Sequence, residues 1–313
     1  MFEPIGVKPN AIVFGSINMD LVVRTPQLPV PGETLLGHEF FTASGGKGAN
    51  QAVAASRLGG RVTLISKIGT DLFGKALLQV FEEEGINTAF VFTDTEHATG
   101  IALITVDKNG DNCIVVSSGA NAILLPADLQ DAAEAINEFS LVLMQLETPL
   151  ETVEYMAAIA FKKGARIILN PAPSKSLTDS LLSTLFILTP NKKEAEYLSG
   201  IAITSIESAA AAARKLALRG AHTVMITLGG DGVLVLFEDE ITHIPAIKVE
   251  AIDTTAAGDV FNGALAVCLS EGKTVLEAAR YACKAAAVSV TRIGAQSSAP
   301  FTIDLQQLNI IAD

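Results

Sequence analysis

Cysteine is scarce in this chain. Among 313 residues there are three, Cys113, Cys268 and Cys283, an odd number set far apart. Such spacing supports neither a zinc knuckle nor a C-x-x-C redox pair, and predicts free thiols in a reducing compartment. Long apolar runs are absent as well. The sequence is apolar on the whole, through alanine and short β-type runs such as VMITL. Yet no uncharged stretch reaches the roughly 18 residues of a membrane span. The opening MFEPIGVKPN has no basic segment followed by an apolar one, so no signal peptide is predicted and a soluble, cytoplasmic protein is expected. Positive charge is in short supply too: 22 Lys and Arg against 34 Asp and Glu, a formal charge of −12, with no long basic run. A nucleic-acid partner needs a positive stripe and is therefore not expected.

Several catalytic signatures are missing. His38, His97, His222 and His243 stand alone, with no H-x-x-x-H pair, and no G-x-S-x-G elbow occurs. Metal-hydrolase and serine-hydrolase chemistry lose support. The first predicted strand is not followed by G-x-G-x-x-G, and the P-loop order G-x-x-x-x-G-K-[ST] does not occur. Nicotinamide-dependent oxidation lacks its fingerprint. Neither a linker nor an internal repeat divides the chain, so a single domain over 1–313 is expected.

What is present is alternation. AIVFGS (11–16), VTLIS (62–66), LVLMQL (141–146), ARIILN (165–170), LFILT (185–189) and HTVMITL (222–228) read as buried strands. Between them, residues 48–59, 73–85, 150–164 and 205–220 carry helical patterns, several ending in Gly. The rhythm implies an α/β fold with a mostly parallel sheet covered on both faces. Two segments break it. Residues 18–43 are rich in Pro and β-formers, and 99–118 reads as a hairpin turning near Asn109-Gly110. Both are expected to be small antiparallel strands projecting from the main sheet. In open α/β sheets ligands bind at the carboxyl ends of the strands.

Six segments belong at such ends. In GSINMD (15–20), Asn18 and Asp20 point the same way on extended backbone and suit several hydroxyls, or else form an Asx turn. In SGGKGANQA (44–52), Gly46, Lys47, Gly48 and Asn50 precede a helix, where backbone can approach a polar ligand closely. Glu147 ends a very apolar run, at the surface or on a ligand. In TPNKKEAEYL (189–198), Asn191 and Glu194 share a helix face and could position a hydrated Mg²⁺, or cap the helix. Thr227, Gly229 and Gly232 lie in ITLGGDGVLV, a turn open to a flat or phosphorylated ligand or simply a hairpin. Last, AIDTTAAGDVFNGALA (251–266) sets Ala256, Ala257, Gly258 and Asp259 at a helix start. Free amides there would form an anion hole without arginine, and Asp259 could cap the helix or accept a proton from a hydroxyl. Phosphoryl transfer asks little more of a protein.

Taken together, the segments resemble the ribokinase branch of the PfkB carbohydrate-kinase family. SGGKGANQA looks like its N-terminal signature and DTTAAGDVFNGAL like its C-terminal one. GSINMD, PGET, MQLE, NPAP, TPNKKEAE, ITLGGDG and VTRIGAQ fall in family order over roughly residues 11–300. The resemblance implies a three-layer α/β/α ribokinase-like fold with a small β-sheet lid, built from about 18–43 and 99–118. It implies an ATP-dependent kinase acting on the 5-hydroxyl of D-ribose. Asn18, Asp20, Gly46, Lys47, Asn50 and Glu147 would hold the sugar. Asp259 would be the base, and the backbone of Ala256 to Gly258 would hold the moving phosphoryl group. ATP would lie along Asn191, Thr227, Gly229, Gly232 and Gly258, with Glu194 handling Mg²⁺ and phosphate. A K⁺ site would draw on Asp253, Thr255, Ser289, Arg292, Gly294 and Ser298, some through carbonyls. The lid implies a homodimer. Two departures stand out: Val260 where many relatives have Thr, and Cys283 where they often have Asn or His beside adenine. A neutral sugar is favoured because Lys47 is the lone cation within the sugar motifs. Deoxyribose or fructose as substrate, a nucleoside kinase, and a sensor that binds without turnover are the alternatives.

Overall fold

The computed structural model describes residues 10–311. The expectation about a signal peptide falls on residues 1–9, outside the described ones. Thirteen strands are described: β1 (Asn10–Phe14), β2 (Asn18–Arg24), β3 (Glu39–Gly45), β4 (Arg61–Gly69), β5 (Asn87–Asp94), β6 (Gly100–Val106), β7 (Asn112–Ser117), β8 (Leu141–Met144), β9 (Arg166–Leu169), β10 (Ile187–Leu188), β11 (Thr223–Thr227), β12 (Val233–Phe237) and β13 (Glu240–Ile244). The helices are α1 (Lys47–Arg57), α2 (Leu72–Glu83), α3 (Gln130–Glu134), α4 (Leu150–Lys162), α5 (Asp179–Leu182), α6 (Lys192–Ser199), α7 (Ile206–Leu218), α8 (Ala257–Ser270), α9 (Val275–Ser289) and α10 (Thr302–Ile311).

Nine strands form one sheet in the order β13-β12-β11-β10-β9-β8-β1-β4-β5. It is parallel from β11 through β5, and antiparallel only at the β11-β12-β13 edge. β1 sits inside, with Val13 opposite both Leu64 and Leu143. Its residues feed two cores by period two: Val13 packs on one face with Ala49, Val260 and Ala278, while Ile12 and Phe14 pack on the other with Val153, Ala195 and Ala212. A strand buried on both faces must be apolar throughout, so these strands read as continuous runs rather than alternating ones. Helices open on side-chain caps where the sequence supplies them: Asp71 accepts from the Gly74 amide, and Thr274 and Glu277 form a capping box.

The four remaining strands make a separate sheet in the order β3-β2-β6-β7. Its outer pairs are antiparallel, but its central pair, β2 and β6, is parallel, with Asn18 opposite Gly100. This corrects the expectation of purely antiparallel projecting strands. The chain between β2 and β6 runs back through β4 and β5, and a long crossover of this kind lets two strands align in the same direction. The turn around Asn109-Gly110 joins β6 to β7 as expected, with Gly110 at φ 87. No helix among the described residues is long and apolar enough to cross a membrane.

Candidate active site

The carboxyl ends of β1, β8, β9, β10 and β11 lie side by side, and the N-terminus of α8 comes up to them. Leaving β1, the chain runs through Ser16 and Ile17 into β2. Asn121 fixes this corner, accepting from the Ile17 amide (2.9 Å) and donating to the Ile17 carbonyl and to Asn18 Oδ1. The Asn18 side chain is thereby oriented, its oxygen toward Asn121. The Asn18 oxygen accepts from Asn121 rather than closing an Asx turn, and the residue is buried. Asp20, on the next residue of the same strand face, has its carboxyl pushed up to about 7, first by burial and then by the charge of Glu147.

Gly46 sits at φ 87 just before α1, and a Cβ there would lie 2.7 Å from the Asn18 amide nitrogen. Only glycine lets the loop press onto β2 in this left-handed conformation. Gly48 is equally constrained, because its Cβ would fall 2.6 Å from the Gly15 carbonyl carbon. Glu147 is half-buried and holds the two segments together: its Oε2 accepts from Ser16 Oγ (2.5 Å) and from the Lys47 amide (3.0 Å). Lys47 keeps its proton more firmly than a free lysine, chiefly because Asp259 faces it, with Glu147 and Glu194 adding to the effect against its burial.

Asp259 is not a helix cap. Its Oδ2 accepts from Asn50 Nδ2 (3.0 Å) and its Oδ1 from Gln51 Nε2 (2.9 Å). The carboxyl is buried, and burial raises its pKa, opposed by Lys47 and the two amides. Ala256 precedes it in the left-handed conformation, φ 58, which costs a residue with a Cβ about 1–2 kcal/mol. The turn this makes leaves the first amides of α8 without partners from a preceding helical turn. The amides are fewer than expected, because Ala257 N–H closes onto the Thr254 carbonyl (3.3 Å). Gly258 is exposed, with open space where a side chain would begin. Val260 is buried in the core and its amide bonds Ala256 O, so the helix start forms without a threonine hydroxyl.

Asn191 and Glu194 close on each other as a capping box: Asn191 Oδ1 accepts from the Glu194 amide (2.9 Å), and Glu194 accepts from the Asn191 amide and Nδ2 (2.8 Å each). The cap is therefore present. It leaves Glu194 buried and harder to ionise than a free carboxyl, first through burial. Asn191 bridges to Thr227 across the strand ends. The turn after Thr227 stands open, with nothing within 4 Å of a side chain built at Gly229, whereas at Gly232 a Cβ would strike the Ile244 carbonyl. A groove of about 460 Å³ runs beside this turn, lined among others by Lys192, Leu228, Gly230, His243 and Lys248. Cys283 lies on α9, half-buried against the core, and stands apart from these hydrogen bonds.

The loops holding Asp253 and Gly294 meet beside the α8 N-terminus. Asp253 accepts from the Thr255 amide (2.9 Å) and the Gly294 amide (2.8 Å), and its own amide reaches Val290 O. Ser289 and Ser298 turn their hydroxyls to backbone carbonyls, and Arg292 turns its guanidinium to Asp304. Of these six, Arg292 offers at most its carbonyl to a cation.

Six polar residues not singled out from the sequence join the site. Gln51 donates to Asn170 Oδ1 (3.1 Å) as well as to Asp259, and accepts from Gln145 (2.6 Å). Asn170 is tied to the Thr189 carbonyl (3.1 Å), the Thr189 hydroxyl to Asn262 (2.6 Å), and Asn262 to Gly258 O (2.8 Å). Gln296 donates to Asn50 Oδ1 (3.2 Å). Gln145 and Asn170 had a visible signal, since each is the first amide after an apolar strand.

Residues 8–302 match the pfkB family of carbohydrate kinases. The chain is 48% identical to a ribokinase of Haemophilus influenzae over 92% of this chain and 94% of that one. It is 38% identical to a deoxyribokinase of Salmonella typhi over 95% of this chain and 96% of the other. Among solved structures, an Arabidopsis thaliana ribokinase complexed with ribose and ATP superposes with a TM-score of 0.91 at 30% identity, covering 96% of this chain and 99% of that one. The chain belongs to the pfkB family of carbohydrate kinases and is an enzyme of its ribokinase type.

Proposed function

We propose that the enzyme transfers the γ-phosphoryl group of ATP to the 5-hydroxyl of D-ribose, with Asp259 as general base. The observation that carries this reading is the Asp259 carboxylate, buried, held by Asn50 and Gln51, and seated on the first turn of α8 beside open backbone at Gly258. Asp259 takes the hydroxyl proton, the oxygen attacks the γ-phosphorus as its bond to the bridging oxygen breaks and ADP leaves, and the amides of Gly258 and Asp259 receive the charge that develops. A carboxyl whose pKa is raised by burial is a better base than a free one. Asn18, Asp20, Lys47, Asn50 and Glu147 orient the sugar, and the Thr227–Gly232 turn with Asn191 takes the nucleotide. Deoxyribose is the second substrate to consider, because a deoxyribokinase is among the relatives.

The donor set fits Mg²⁺ held through water. No cluster of three or more His, Cys, Asp and Glu side chains among the described residues is arranged to hold a metal, and Glu194 already accepts from Asn191 through both oxygens. A hydrated ion needs no more than such a carboxylate. It would supply charge neutralisation on the phosphates. The Asp253 and Gly294 loops would hold K⁺: the Thr255 and Gly294 amides anchor the Asp253 carboxylate between them, and the carbonyls of these loops would serve as ligands.

The four-stranded sheet serves as the lid of one functional unit. All six residues of β7 are exposed, including Ile114 and Val115, and Phe40 on the opposite edge is 64% exposed. Apolar edge strands of this kind call for a cover, and a second lid in a homodimer supplies it. A reducing cytoplasm suits the three free thiols. A coupled ADP-release screen over pentoses and hexoses tests the reaction. Ribose should give the highest kcat/KM, and silence with every sugar would refute it.

A further inference from the structure

The carboxylate of Asp259 takes its two hydrogen bonds from consecutive residues of α1, and both donors are side-chain amides. An amide can turn either its NH₂ or its oxygen toward a neighbour, and the two choices have opposite electrostatic sign. An oxygen facing Asp259 would repel the ionised form. The orientation is therefore a functional matter, and it is fixed from outside. The Gln51 oxygen accepts from Gln145 Nε2 at 2.6 Å. Its NH₂ also donates to Asn170 Oδ1, whose own NH₂ is tied to the Thr189 carbonyl. Since a backbone carbonyl can only accept, this chain has one polarity. On the other side, the Asn50 oxygen accepts from Gln296 Nε2 at 3.2 Å. Gln145 and Gln296 are both buried, and neither touches Asp259.

We propose that Gln145 and Gln296 are positioning residues that act through Gln51 and Asn50, holding both amide NH₂ groups toward the Asp259 carboxylate. The proposal rests on Asp259 being the base. Gln145 is placed for this and little else: its own oxygen lies against Gly15, where a Cβ would clash with it, and has no hydrogen-bond partner among the described residues. A buried amide with one unsatisfied oxygen is costly to keep. Its remaining polar contact is the one that sets Gln51. The charged groups facing Asp259 are Lys47 from α1, Glu147 beyond β8 and Glu194 from α6. None of them is bonded to Gln51 or Gln145, so the amide lock is separable from them.

The test is the pH dependence of kcat in Gln145→Met and Gln296→Met. Losing a donor to the ionised form raises a carboxyl pKa, so the acid limb should move up by about one pH unit. The plateau kcat should fall about tenfold as the carboxylate loses its aim. The sugar KM should stay within about twofold in Gln145→Met, because Gln51 has no place on the sugar. It should rise in Gln296→Met, because Asn50 does. In a Gln51→Met background, Gln145→Met should cost almost nothing further. If Gln145→Met does not fold, Gln296→Met, on a loop, carries the same acid-limb reading. An acid limb unmoved in the folded variants, or a full additional loss in the double variant, overturns the lock. Asp259→Asn separates the two levels: an inactive Asp259→Asn with an unmoved acid limb defeats the lock alone, whereas an active Asp259→Asn defeats the base itself.

Discussion

Around Asp259 the site is made of side chains, and around Gly229 and Gly258 it is made of backbone. Asn18, Asn50 and Gln51 are buried, and each is held by another polar group, whereas Gly229 and Gly258 have nothing within 4 Å of the place where a side chain would start. The first construction suits a neutral ligand recognised by the positions of its hydroxyls, which demand donors and acceptors fixed in direction. The second suits an anion, which asks for amides, room and a helix start. It also explains how a chain of formal charge −12 can take a polyphosphate with few cations at hand.

The contrast can be broken most severely at Asp259. Asp259→Asn keeps the shape and the burial but removes the base, so turnover should fall by about 10²-fold or more while sugar affinity, measured by calorimetry, stays nearly intact. Near-normal turnover would end the mechanism.

The two glycines sharpen the comparison. Gly46→Ala puts a Cβ 2.7 Å from the Asn18 amide at φ 87, so it should lower stability by about 1–3 kcal/mol and weaken sugar binding severely. Gly229→Ala at φ 59 meets open space, so it should cost about 1 kcal/mol or less and leave sugar binding alone. Denaturant melts and sugar titrations of the pair measure both effects, and equal losses would erase the distinction between the halves.

A milder effect is expected at the cation site proposed beside α8. Replacing K⁺ with a large organic cation should lower kcat several-fold without changing the stability of the Gly46 loop. An enzyme indifferent to the exchange would remove Asp253 and Gly294 from the list of ion-holding residues.

The smallest effect is a matter of pH and stability. Asp20 titrates at about 7 in the folded protein and near 3.9 when unfolded. Between those values the folded state holds the extra proton, so stability falls as pH rises from about 4 through about 7. Asp20→Asn, neutral at every pH, should melt higher than the parent at pH 8 and alike at pH 4. A Tm difference that does not depend on pH would mean that Asp20 is not strained by its site.

Much of this was legible in the sequence because parallel strands are written as unbroken apolar runs and their helices end in Gly. LVLM, RIIL and TVMIT fall where expected. Lys47 meets Glu147, Asn50 meets Asp259 and Asn191 meets Thr227, so segments far apart in the sequence come together near the strand ends. The parallel pairing of β2 with β6 was not legible, since a strand's text does not state the direction of its neighbour. The amide network was hidden for another reason. Gln51, Gln145 and Gln296 are ordinary residues in one dimension, and their meaning comes from meeting Asp259, Gln51 and Asn50, respectively, across more than 90 residues.

The bond between Asn50 and Asp259 spans 209 positions, and that between Ser16 and Glu147 spans 131. A nascent chain still lacking α8 can complete its first strands and helices but has neither Asp259 nor the Gly258 backbone on which the proposed chemistry rests. On the proposed mechanism, phosphorylating power arrives only once α8 has been made, and a product that stops short of it would be chemically silent toward ATP.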